Sequence, residues 1–234
     1  MGSSWGESAL SWWQEAGVDT IVGEEARDWL NPKAQAPLPL ASDPAPAAEA
    51  MPDSLAAFTA WLAETDRLPF ASPSVPRIAP AGDPATGLMM LSDMPAADDI
   101  AAGILFSGEV GALFDRMLTA AGWSRETIYL APLSPIRPAA GRIDQEDVRL
   151  LADIARHHIG LVSPAALLLF GDSCARALLG MPMTEARGRW HALETPAGPV
   201  KTLVTIRPQE LVSRPKLKAH AWADLQLLME GLKP

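Results

Sequence analysis

The sequence predicts an α/β protein of three layers, with a four-stranded parallel sheet held between helices. The first observation is a set of four short apolar runs, at residues 87–91, 127–133, 165–170 and 200–206, each bounded by turn-forming residues. The second is what lies between them, namely helical patterns over 107–121, 144–160 and 172–179. Strands alternating with helices call for right-handed crossovers, which make the strands parallel and put helices on both faces. Nearly half of the 234 residues are apolar, enough for the core of one domain with an extension.

Taken in order, residues 1–31 read as a helical appendage rich in tryptophan, including Trp12, Trp13 and Trp29. Such residues are expected to pack on the domain or on a protein partner, because tryptophan is enriched at interfaces. Residues 32–52 alternate Pro and Ala and read as an extended linker. The domain proper is expected over 53–234. It opens with an amphipathic helix over 53–67 that carries Leu55, Phe58, Trp61 and Leu62, with Asp53 as its expected N-cap. Pro and Gly punctuate 69–87, the strand–helix alternation follows, and a last helix is expected over 216–231.

Composition narrows the function classes. No run of 18 apolar residues is present, so no membrane span is expected. The first residues lack the basic-then-apolar pattern of a signal peptide. The single cysteine, Cys174, forms no internal disulfide and suits a reducing compartment, so a cytoplasmic location is expected. The net charge is −9, which argues against nucleic-acid binding over the whole surface. Residues 184–234 are the exception, with eight Lys/Arg against five Asp/Glu. There Arg187, Arg189, Lys201, Arg207, Arg214, Lys216 and Lys218 are candidates for a phosphate-facing rim, or form a solvated face.

The most telling stretch is 205–225, which contains Arg207, Pro208, Leu211, Pro215, Lys218, Ala221, Trp222, Asp224 and Leu225. It resembles the C-terminal signature of the uracil-DNA glycosylase superfamily, above all its iron–sulfur family 4 branch, T/Y-H-P-x-x-L-L-R-x-P-x-x-K-x-x-A-W-x-D-L. The resemblance extends over about residues 53–232, and it implies that family's fold and its excision of a flipped uracil from DNA, with no metal in the chemical step. It departs at the chemistry, where Arg207 stands at the place of the family histidine. That histidine donates to the uracil oxygen as negative charge builds. Arg207 can serve the same anion, or it can bind a DNA phosphate with Pro208, Arg214, Lys216 and Lys218. The phosphate contact is the expected role.

In open parallel sheets, sites form beyond the carboxyl ends of the strands. After the first strand, Asp93, Pro95 and Asp99 resemble the family's V-G-E-x-P-G-x-x-E/D loop, with Ser92 and Ala96 in place of its glycines; that loop cradles the flipped base, which makes Ser92, Met94 and Pro95 candidate base-binding residues. Asp93 is then the catalytic acid, placed to stabilise positive charge on the sugar; from the residues alone it reads rather as a helix cap after a strand. The segment 103–115 resembles G-x-P-F-V-G-x-A-G-x-L-L-D, which puts Phe106 where the family stacks an aromatic ring on the base. After the second strand, Pro132 replaces the asparagine that reads the uracil edge. Ile136 and Leu151 fall at cluster-cysteine positions. A Cys-ligated cluster needs about four thiolates, so no iron–sulfur cluster, and no other cofactor or metal, is expected.

Two rival signals remain. Residues 171–175 follow a strand and open a helix, which resembles a hydrolase nucleophile elbow with Ser173 as nucleophile and His191 or His220 as base. The glycosylase family has its own strand–turn–helix at this point, which makes Ser173 a helix-start residue. The adjacent His157 and His158 point in different directions on a helix and do not read as a metal pair. The expected function is therefore glycosidic cleavage of uracil or a related base in DNA. The alternatives are an inactive relative that binds DNA or a repair partner and, more remotely, a serine hydrolase.

Overall fold

The computed structural model describes residues 50–233. The expected tryptophan-rich appendage, with Trp12, Trp13 and Trp29, and nearly all of the expected linker lie outside the described residues.

The sheet has six strands where four were expected: β1 (Ala81–Gly82), β2 (Leu88–Ser92), β3 (Tyr129–Pro132), β4 (Ala166–Phe170), β5 (His191–Thr195) and β6 (Gly198–Thr205). Their spatial order is β1-β3-β2-β4-β6-β5. The four inner strands are the four expected ones and pair in parallel, with Ser92 opposite Pro132, Leu91 opposite Leu169, and Phe170 opposite Thr205. The two additional strands are antiparallel edges. β1 is only two residues long, and β5 alternates in burial and leads into β6 through the tight turn at Pro196-Ala197.

Among the described residues, eight helices flank the sheet: α1 (Leu55–Glu64), α2 (Ala97–Ala102), α3 (Gly108–Ala120), α4 (Gln145–Val162), α5 (Gly171–Leu179), α6 (Met183–Ala186), α7 (Pro208–Ser213) and α8 (Lys218–Gly231). The N-cap of α1 is Ser54, whose hydroxyl accepts from the Ala57 amide, and not the expected Asp53. Inner strands alternate their side chains between two cores. Met89, Leu91, Leu167 and Leu169 face one cluster with residues of α1, α4 and α5. Leu88, Met90, Leu168 and Leu203 face the other, with residues of α3 and α8. Burial on both faces is why parallel strands read as unbroken apolar runs.

A buried polar joint ties α8 to the sheet. Asp224 accepts from the Thr205 hydroxyl at 2.8 Å and from Arg187 Nη2 at 2.8 Å and Nε at 2.9 Å. Burial pushes its carboxyl up from the usual value, while Thr205 and Arg187 draw it down. A second joint lies between β3 and α4, where Tyr129 and His158 Nε2 are 2.9 Å apart. Burial lifts the Tyr129 hydroxyl to about 12, so it keeps its proton. Burial, helped by the neighbouring His157, pushes His158 down to about 3 and keeps it neutral.

Among the described residues, no helix is long and apolar enough to cross a membrane.

Candidate active site

The sheet changes direction at β2. The chain proceeds from β2 to β3 on one side, then crosses back over β2 to β4 and β6. Open α/β sheets bind ligands at such a switch point, beyond the carboxyl ends of the strands. Four strand ends deliver side chains to one cavity of about 800 Å³ here. They are Asp93 and Met94 after β2, Leu133 after β3, Asp172 and Ser173 after β4, and Arg207 after β6.

The centre of this arrangement is an ion pair. Arg207 Nη1 donates to Asp93 Oδ2 at 2.6 Å, and Arg207 Nε donates to Glu210 Oε1 at 3.1 Å. The Asp93 side chain is only 3% exposed, against 32% for Arg207. Burial works against the Arg207 charge, but the Asp93 and Glu210 carboxylates prevail and its pKa stands raised. The guanidinium is a permanent cation here. Its stem lies flat on Gly171, which has φ +83°. A Cβ at that glycine would stand 2.5 Å from Arg207 Cγ, so this close approach needs glycine. Arg207, expected to contact a DNA phosphate, is held in this structure by two carboxylates of the same chain.

The remaining expected site residues divide sharply. Ser92 is fully buried at the end of β2, and its hydroxyl has no hydrogen-bond partner. Met94 lines the cavity. The Pro95 carbonyl accepts from Arg137, which fixes the loop. Pro132 is buried opposite Ser92. Phe106, expected to stack on a base, has no exposed surface and does not line the cavity. Its ring packs on Phe114 and Phe170 in the α3-side core, with centroids 4.7 and 5.4 Å away. Its backbone is left-handed, at φ +52°. The conformation is pinned by Arg125, which donates to the Leu105 and Phe106 carbonyls. Asp99 pins it from the other side by accepting from the Ser107 amide and hydroxyl and from the Ala96 amide.

The expected basic rim also divides. Pro208 is buried as the first residue of α7, and Arg187 is committed to Asp224. Arg214 and Lys216 are exposed, and Lys218 borders a separate small groove beside Trp222. Of the seven basic residues expected to form the rim, only Arg207 reaches the cavity. The cations that do line it, Arg142, Arg149, Arg156 and Arg176, are ones the sequence reading passed over. A signal was present, since Arg149 and Arg156 lie seven residues apart within one expected helix, a spacing that keeps them on one face, with Arg142 just before its start.

Ser173 lines the cavity with no histidine beside it. The His157, His158 and His191 rings pair with the Pro52 carbonyl, Tyr129 and the Ala186 carbonyl, and His220 is exposed on α8. The hydrolase alternative thus has no base.

The positions that align with cluster cysteines, Ile136 and Leu151, are both fully buried in the same apolar core. The Cys174 thiol is buried, donates to the Leu91 carbonyl at 3.7 Å, and is held well above its usual pKa by burial. This donor set does not fit an iron–sulfur cluster. Among the described residues, no group of three or more His, Cys, Asp or Glu is placed to hold a metal ion.

Comparison with known proteins agrees with this architecture. The chain is 22% identical over 157 residues to a type-4 uracil-DNA glycosylase of Pyrobaculum aerophilum, covering 64% of this chain and 80% of that protein. It is 21% identical over 156 residues to a type-4 uracil-DNA glycosylase of Archaeoglobus fulgidus, covering 64% and 78%. The uracil DNA glycosylase superfamily matches residues 79–226, which span all four parallel strands, Asp93 and Arg207. With that match over more than half its length, the chain belongs to the uracil DNA glycosylase superfamily.

Proposed function

We propose that the protein excises uracil or a related base from DNA, with Asp93 and Arg207 acting on the two charges that develop as the glycosidic bond breaks. The observation that carries this reading is the 2.6 Å pair between them at the carboxyl ends of β2 and β6. When the bond between C1′ and the base nitrogen breaks, its electron pair leaves with the base. The sugar becomes positive and the base negative. A carboxylate stabilises the first charge and a guanidinium the second, and both act most strongly where burial has removed water. The pair must open to admit a nucleotide. Glu210 then holds Arg207 through Nε, so the cation stays in place while Nη1 turns from Asp93 to the base. A water molecule adds to C1′, and its proton leaves to solvent or to the base. DNA is the proposed partner, and the cytoplasm the proposed compartment.

Pro132 and Phe106 favour a second reading, in which the chain binds DNA without excising a base. Pro132 has no side-chain donor or acceptor with which to read a base edge, and both neighbours of the Phe106 ring are core phenylalanines.

Single-turnover assays on oligonucleotides carrying uracil, hypoxanthine or xanthine, followed by alkaline strand cleavage, separate the two. Excision of at least one base is expected. Asp93→Asn and Arg207→Ala are expected to slow it by at least about 100-fold, the scale of losing one preorganised electrostatic contact, with much smaller changes in DNA affinity. DNA binding with no excision anywhere in the panel would replace the first reading by the second.

A further inference from the structure

Excision chemistry uses only one end of the 800 Å³ cavity. The rest is a cleft between α4 and α5 with a composition of its own. On α4, Gln145, Val148, Arg149, Ala152, Asp153 and Arg156 line it, at the spacing of a single helix face. On α5, Asp172, Ser173, Arg176 and Ala177 face them. The floor is apolar, built from Leu133, Val148, Ala152 and Ala177.

The charges of this cleft are unequal in their commitments. Five arginines line it against three aspartates, so two positive charges are in excess. Arg207 is bound to Asp93, and Arg176 to Asp172. Arg156 is bound to Asp153 and to the Ala177 and Leu178 carbonyls at the end of α5. The two uncommitted cations are Arg142 and Arg149. Arg142 is 80% exposed and reaches Asp144 only at 3.9 Å. Arg149 makes no hydrogen bond or ion pair within the described residues. The Ser173 hydroxyl, in the first turn of the nine-residue α5, is likewise without a partner there.

We propose that this cleft binds a nucleotide through a phosphate dianion, supplied either by a free nucleoside monophosphate or by the 5′-phosphorylated end of a DNA strand. Arg149, with no partner within the described residues, and Arg142, held only by an exposed 3.9 Å contact to Asp144, match two negative charges on one phosphate, and each offers the forked donor geometry that phosphate oxygens accept. An internal backbone phosphate carries one charge and would leave one arginine unmatched. The apolar floor suits the sugar and base, and the cavity falls within the roughly 300–1,000 Å³ of small-ligand sites. The site shares the wall at Asp93 and Arg207 with the excision reading but does not depend on it, because it requires no base to be cleaved.

The test measures binding by the full chain at one fixed salt concentration. A single-stranded oligonucleotide of standard bases with a 5′ phosphate is compared with its 5′-hydroxyl twin, and thymidine 5′-monophosphate with thymidine. In at least one comparison the phosphorylated member is expected to bind about tenfold more tightly, a modest return for two charge-assisted contacts. A preference confined to the oligonucleotide identifies the strand end as the source, and one shared by the monophosphate identifies the free nucleotide. Arg142→Ala and Arg149→Ala should each reduce the preference, and the double variant should erase it with unchanged thermal melting, since both side chains are exposed. The proposal is overturned if neither comparison shows a preference, or if the preference survives in the double variant. Failure of base excision leaves these readouts untouched, since standard bases are used throughout.

Discussion

Two buried aspartate–arginine pairs stand at opposite ends of this molecule's logic. Asp224 with Arg187 and Asp93 with Arg207 each have a carboxylate only 3% exposed. Asp224 forms the closed pair, with two guanidinium nitrogens and the Thr205 hydroxyl all donating to its Oδ2. It borders no described cavity and joins α8 to β6. Asp93 has one donor partner, its arginine is shared with Glu210, and the pair opens on the cavity. A closed pair can only hold the fold, whereas an open pair can exchange its partner for a substrate.

The largest expected effect breaks the closed pair. Asp224→Ala leaves the Arg187 guanidinium and the buried Thr205 hydroxyl without their acceptor, and removing one partner of a buried pair costs about 3–5 kcal/mol. Asp93→Asn should cost about 1 kcal/mol or less, because Arg207 is partly exposed and keeps Glu210. Urea titration of both variants checks this. Equal losses would mean that the two pairs do the same structural job.

Next comes Gly171, the platform of the open pair. Alanine there must adopt φ +83° and meet Arg207 Cγ at 2.5 Å. The left-handed backbone alone costs about 1–2 kcal/mol, and the contact pushes the guanidinium off Asp93. Gly171→Ala should therefore lower both stability and excision rate. Full activity in this variant would separate Arg207 from the chemistry.

A buried pair without formal charge sharpens the contrast through pH. His158 falls from its ordinary value of 6.5 to about 3 on folding. The unfolded chain therefore binds the proton more readily between those values. The stability contributed by neutral His158 is complete above about pH 6.5 and is lost as pH falls, by up to about 1.4 kcal/mol per unit. His158→Phe should flatten that slope in urea titrations run from pH 6.5 downwards. An unchanged slope would move the acid sensitivity to other groups.

How much of this was legible depended on whether one element or several had to be known at once. The inner strands were visible because burial on both faces leaves unbroken apolar runs such as Ala166–Phe170. The edges were not, because β1 has two exposed residues and β5 buries only Leu193. The Pro196-Ala197-Gly198 turn before the last parallel strand was the available cue for β5. Asp93 and Arg207 could be placed on one edge of the sheet by their positions after strands. Their contact, 114 residues apart in sequence, depends on the strand order and on Gly171 lying between them. Phe106 was set beside the base by the resemblance, which does not show the way its ring turns. The turn is tied down by Arg125 and Asp99, and the ring goes inward.

The smallest expected effect concerns Ser92, directly before Asp93. Its hydroxyl is fully buried and unpaired, unlike the buried Thr205 hydroxyl, which donates to Asp224. A buried donor without a partner costs about 1–3 kcal/mol relative to a satisfied one. Ser92→Ala removes that cost together with one oxygen, so the variant should be as stable as the native chain or more stable by about 1 kcal/mol. Proteins retain such a group where it has something to bind in another state. In the excision reading that state is the one with a base beside Asp93. Ser92→Ala should then weaken binding of the target-containing strand several-fold while raising or preserving the melting temperature, and this opposition between affinity and stability is the mark of a site group. A drop in melting temperature with unchanged affinity would make Ser92 a structural residue like Thr205 and would remove the contrast between the two pairs at its most sensitive point.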